Sequence, residues 1–213
     1  MTQAGRLRRV LAAAAIVVSG CSRPEPAKPA APPPQSPPPD SSTGIVKGKV
    51  PLPTPGATII VVLEPKDERS FPPQTEKPVM DQVGLTFGPP LLFVRTGQPV
   101  EFRNGDDTLH NVHVSNEDTR EGAFNVAIPT GGTYTYTFTR DGFYHVGCDI
   151  HPAMSAEIVS ATSPYATVAD SEGTFELPDV EPGAYTLTIY ASGTRTRRDV
   201  EVKRGAMTIA TSP

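Results

Sequence analysis

Beyond Gly44 the chain is built from short runs in which apolar and polar residues alternate, separated by Gly, Pro, Asp and Asn. A period of two is the spacing of a strand with one face on a core, and no stretch sustains the spacing of three and four that a helix needs. Strands are therefore predicted over 45–50, 58–63, 100–103, 111–114, 133–139, 143–146, 156–159, 174–177, 185–190 and 199–202. Tyr134, Tyr136 and Phe138 alternate with threonines, which puts the three rings on one strand face. Asp141-Gly142 and Gly131-Gly132 supply turns. The predicted class is all-β, with sandwiches as the architecture.

The first 43 residues follow a different pattern. Arg6, Arg8 and Arg9 precede an apolar run from Val10 to Val18, closed by Ser19, Gly20 and Cys21. This is the outline of a secretory signal over residues 1–20, too short to persist as a membrane span. Val18-Ser19-Gly20-Cys21 resembles a bacterial lipobox, which implies cleavage before Cys21 and lipidation of that residue; an ordinary signal with an incidental cysteine is the alternative. Residues 22–43 are Pro, Ala and Ser with a few charges, a composition that favours an extended spacer of about 3 Å per residue, on the order of 60 Å in all. The expected location is the bacterial cell envelope, with the chain anchored through the lipid on Cys21 and facing the periplasm, at the outer membrane rather than the inner.

Charge narrows the partners. The formal net charge is −4, and loss of residues 1–20 removes three Arg and no acid, leaving about −7. An acidic protein disfavours nucleic acid and suits a basic protein partner.

With Cys21 lipidated, Cys148 is the one remaining cysteine, in a compartment where disulfides are common. All four histidines lie between positions 110 and 151. Cys148-Asp149-Ile150-His151-Pro152-Ala153-Met154 places a thiol, an imidazole and a thioether on one tight loop, and His110 offers a second imidazole from a distant strand. Two His, one Cys and a weak axial Met are the donor set of mononuclear copper electron-transfer sites, whereas structural zinc sites take more Cys or His and no Met. His113, three residues past His110, points to the opposite face of an extended strand. The same parity separates His145 from Cys148, and a second metal site built from His113 and His145 is a minor alternative. Met80 and Met207 are expected to pack in cores.

Phe102-Arg103-Asn104, His110-Asn111-Val112-His113 and Tyr144-His145-Val146-Gly147-Cys148 with its following loop resemble the cupredoxins, most of all the amicyanin type, over about residues 78–160. The resemblance implies a Greek-key β-sandwich over residues 66–161. It also implies one copper ion held by His110, Cys148 and His151 with Met154 axial, and a supporting shell of Asn104, Asn111 and His113 in which Asn111 ties the two ligand segments together. Leu109 departs from the proline that many relatives carry before the first histidine. An apolar rim around His151 is implied as the face that a redox partner approaches. Asp106, Asp107 and Asp149 are expected near that end, which suits a basic partner such as a cytochrome c. The chain is expected not to be an enzyme: four protein donors leave no open copper position, and no nucleophile–base pair or phosphate cradle stands elsewhere. A copper store or chaperone, and a metal-free envelope scaffold, are the rival readings.

Thr167-Val168-Ala169-Asp170-Ser171-Glu172-Gly173-Thr174-Phe175 and Val180-Glu181-Pro182-Gly183-Ala184-Tyr185 resemble the carboxypeptidase regulatory-like β-sandwich, as do residues 44–50 and 58–63. The second sandwich is therefore expected to combine 44–65 with 162–213, the cupredoxin domain being inserted at a loop, with tandem domains as the alternative.

Overall fold

The computed structural model describes residues 42–52, 57–191 and 193–211. The predicted signal peptide, Cys21 and most of the proline-rich spacer lie outside the described residues. Among those described, every regular element is a strand, and no helix is long and apolar enough to cross a membrane.

Four sheets form two sandwiches. In the first, one sheet has the order β13 (Thr174–Val180), β1 (Gly44–Lys49), β16 (Met207–Thr211). Its partner runs β12 (Ala166–Val168), β2 (Ile59–Pro65), β14 (Gly183–Ala191), β15 (Thr194–Val202). In the second, one sheet is β4 (Phe87–Gly88), β3 (Val79–Gln82), β6 (Pro99–Asn104), β9 (Thr133–Thr137). The other is β5 (Leu91–Arg95), β11 (Ser155–Ala161), β10 (Gly142–Gly147), β7 (His110–Asn116), β8 (Gly122–Ile128). The chain thus lays down two strands of the first sandwich, completes the second, and returns to finish the first.

Each sandwich has its own core. Val46, Val61, Leu63, Phe175, Tyr185 and Leu187 anchor one; Met80, Phe102, Val112, Val146, Cys148 and Ile158 anchor the other. The unbroken apolar run Ile59–Leu63 shows why alternation fails in β2. Ile59, Val61 and Leu63 face their own core, while Ile60 and Val62 pack on Phe143, Val159 and Ala161 of the second sandwich. A strand buried on both faces has no polar side to alternate. Phe143 stacks on Tyr190 across the same seam, with a centroid separation of 3.1 Å.

Each sandwich also ties a corner with a tyrosine. The Tyr144 hydroxyl donates to the Arg140 carbonyl at 2.9 Å, and that of Tyr185 to Glu181 at 2.7 Å. Burial pushes both phenols above their ordinary pKa, so each stays a donor. Met80 is fully buried, as expected, but Met207 is not a packing residue: it is 58% exposed on β16.

Candidate metal centre

The centre sits where three neighbouring strands of one sheet end. His110 opens β7, Cys148 follows the last residue of β10, and the loop 149–154 leads into β11. Pairing of Gly147 with His113 holds β10 beside β7 and so brings Cys148 toward His110. Pro152 and Ala153 form a turn closed by the Met154 amide donating to the His151 carbonyl at 2.9 Å, and proline's fixed φ suits the turn's second position. That turn carries His151 back toward Cys148.

The structure brings three donors together. Cys148 Sγ is 3.9 Å from Nδ1 of His110 and 3.9 Å from Nδ1 of His151, and the two nitrogens are 3.0 Å apart. A point about 2.1 Å from all three atoms follows from those edges, within the roughly 2.0–2.3 Å of metal–nitrogen and metal–sulfur bonds. The donor set therefore fits one cation. His110 is fully buried, Cys148 and Met154 nearly so, and His151 is half-buried at the rim. Met154 packs in the same core cluster as Cys148, and the sole cysteine among the described residues is unpaired.

The surroundings fix the donors. Asp106 Oδ2 lies 2.9 Å from His110 Nε2, and the same carboxylate accepts from the Gly84 amide at 2.6 Å and the Leu85 amide at 3.0 Å. The Leu85 and Gly84 amides, then His110, hold its carboxyl below the usual range. An ionised Asp106 accepts a hydrogen bond from Nε2–H of His110, which keeps the proton on that nitrogen and leaves the Nδ1 lone pair facing Cys148. Asp106 is thus turned inward on a histidine, contrary to its expected place among acids that face a partner. Asp107 alone of that pair remains exposed.

Asn111 bridges the two ligand segments. Its Oδ1 accepts from the Asp149 amide at 2.7 Å and lies 3.3 Å from Cys148 Sγ, while its Nδ2 donates to Asn125 Oδ1 at 2.7 Å and Asp149 Oδ2 at 3.0 Å. Asn104 Nδ2 donates to the carbonyls of Thr108 and Ile128, both at 2.8 Å, and so shapes the loop before His110. His113 is not a core residue. Its side chain is 44% exposed and its Nδ1 is 3.0 Å from Asp149 Oδ1. Asp149 in turn is held below its ordinary pKa by His113 and then Asn125.

Two family models match. Copper binding proteins of the plastocyanin/azurin family match residues 75–160, and polysaccharide lyase family 4, domain II, matches residues 151–210. The second model is a different one from the carboxypeptidase regulatory-like family that the sequence resembles. No curated protein matches the chain. Similar solved structures include the oxidised state of a proline-to-alanine mutant of amicyanin, 27% identical, covering 39% of this chain and 81% of that one at a TM-score of 0.36. A methionine-to-alanine mutant of amicyanin with Cu(I) is 23% identical, covering 47% and 97%, at 0.37. A copper-containing nitrite reductase from Thermus scotoductus SA-01 is 26% identical, covering 47% of this chain but only 26% of that one, at 0.38. The family match spans His110, Cys148, His151 and Met154 together, and the three clustered donors suit a soft, imidazole-binding cation. Residues 75–160 are thus similar to the copper-binding cupredoxins of the plastocyanin/azurin family.

Proposed function

We propose that the protein is a lipid-anchored, periplasm-facing one-electron carrier, in which His110, Cys148 and His151 hold copper and Met154 is the weak axial donor. The observation that carries this reading is the triangle of Nδ1, Nδ1 and Sγ atoms, built from three chain segments and already of a size to surround one ion. When bound, copper supplies one-electron chemistry by cycling between Cu(II) and Cu(I). A soft thiolate and two imidazoles suit both states. Asp106 sets the tautomer of His110, and Asn111 holds the loop that carries Cys148 and His151. Donors fixed in this way move little when the charge between them changes. Burial of His110, Cys148 and Met154 keeps water from the inner side, which favours carrying an electron over binding a substrate.

His151 is the donor nearest solvent. Leu109 and Ile150, both about half exposed, adjoin His110 and His151 in the chain, and Val83 and Leu85, also about half exposed, lie in the turn whose Gly84 and Leu85 amides bind Asp106. They supply an apolar rim on which a redox protein can dock, and the net charge favours a basic one such as a cytochrome c. Asp107 is the acid left free to steer it. Replacing Asp107 with Asn should weaken the salt dependence of electron transfer to a basic cytochrome, and an unchanged dependence would remove that partner from the account. Membrane attachment through Cys21 predicts that Cys21→Ser releases the protein to the soluble fraction.

The test of the carrier reading is Cu(II) added to the purified protein. An intense visible thiolate-to-copper band with a small EPR hyperfine splitting, lost in Cys148→Ser, is expected. Copper bound without that band, or handed rapidly to a competing chelator, would favour a store or chaperone instead.

A further inference from the structure

We propose that His113 and His145 form a second, exchangeable site for a borderline divalent cation such as Zn2+ or Cu2+, on the solvent face of the sheet beside the copper loop. This inference is independent of the electron-carrier reading. Three features of the local geometry converge on it.

The first is register. Gly147 of β10 stands opposite His113 of β7, and His145 stands opposite Ser115. His113 and His145 are therefore diagonal neighbours on one sheet face, close enough for long side chains to meet. Both side chains are open to solvent, at 44% and 45% exposure.

The second is space. Gly147 places no side chain between them, and a Cβ built there would lie 3.4 Å from Nε2 of His145 and 3.9 Å from its Cδ2. The His145 ring thus leans over the position directly across from His113. Both imidazoles line one open groove with Gly147 and Asp149.

The third is the state of the outer nitrogens. His113 Nδ1 is 3.0 Å from Asp149 Oδ1, and His145 Nδ1 is 3.9 Å from Glu117 Oε1. A carboxylate hydrogen-bonded to Nδ1 keeps the proton of His113 there and leaves its Nε2 as the donor, the arrangement that metal-binding histidines share; Glu117 lies beyond hydrogen-bond reach of His145 and adds only a nearby negative charge. Imidazole is a good ligand for zinc and copper(II). Two imidazoles and water make an open coordination sphere, so the cation should exchange readily rather than stay resident.

The experiment is a Zn2+ titration followed by 1H–15N NMR of the histidine rings. It is run in two backgrounds: the diamagnetic Cu(I)-loaded protein, and a Cys148→Ser/His151→Gln variant whose result does not depend on how copper is held. The rings of His113 and His145 should shift together, saturating at one zinc per chain, in both backgrounds. His113→Gln and His145→Gln should each weaken binding by roughly tenfold or more, with circular dichroism unchanged. Loss of the carrier reading alone would appear as absence of the copper–thiolate band with zinc binding intact. No shift at millimolar zinc, a shift of one ring only, or binding unaffected by either substitution would overturn the proposal.

Discussion

Replacing Asn111 with Ala removes the side chain of β7 that binds the backbone of the ligand loop. The loss can be worked from its contacts. The Asp149 amide, part-buried and 2.7 Å from Asn111 Oδ1, would be left without its acceptor, which costs about 1–3 kcal/mol. The two bonds from Nδ2 end on Asn125 and Asp149, both exposed, where water replaces much of what is lost; these add about 0.5 kcal/mol each. A total of about 2–4 kcal/mol is expected. Equilibrium urea unfolding of the metal-free protein measures it, with the slope unchanged if only stability moves. Asn125→Ala is the control. It removes bonds to Asn111 and to Asp149 at an exposed position, so it should cost under about 1 kcal/mol. A loss below about 1 kcal/mol for Asn111→Ala, or equal losses in the two variants, would refute the idea that this amide holds the loop.

Other expectations follow from the same reasoning. Lys77, then Arg103, hold the Glu101 carboxyl below its ordinary range. A folded-state pKa below the unfolded value of about 4.3 gives stability that is present above that pH and is lost as pH falls through the folded value. Glu101→Gln should therefore flatten the acid limb of a stability–pH curve below about pH 4.3, and parallel curves for the two proteins would contradict it. Phe143→Ala empties the seam between the sandwiches and should cost about 3–5 kcal/mol, splitting the calorimetric transition in two; a single transition at lower temperature would mean that the sandwiches stay coupled without the Phe143 ring. A Cβ at Gly48 would lie 2.0 Å from the Ala210 carbonyl oxygen and 2.5 Å from the Phe175 ring. Gly48→Ala should thus destabilise by about 1–3 kcal/mol, read as a lowered melting temperature.

Strands that bury one face were legible because period-two alternation is written in the residues themselves. Val100–Arg103, inside β6, and the rings of Tyr134 and Tyr136 on β9 are examples. Phe138 joins the same core although β9 ends at Thr137. Other strands escaped notice. Leu91–Arg95 reads as an apolar run after two prolines, and it forms β5 only through parallel pairing with distant β11. The last strand, β16, owes its place to parallel pairing with β1, about 160 residues earlier. The cluster of His110, Cys148 and His151 was readable because one loop carries two of the donors and their chemistry is unusual in combination. The inward turn of Asp106 was not, since its partners Gly84 and Leu85 come from another loop and nothing local announces them. His113 and His145 stand out in the sequence only as a minor alternative, because their shared face depends on which residue of β10 stands opposite His113.

X-ray absorption at the copper edge, recorded on both oxidation states of the loaded protein, tests the central claim most directly. Two imidazole nitrogens and one sulfur, all at about 2.0–2.3 Å, should surround copper in the oxidised and the reduced protein alike. A shell of nitrogen and oxygen without sulfur, or one that gains a water on reduction, would contradict it.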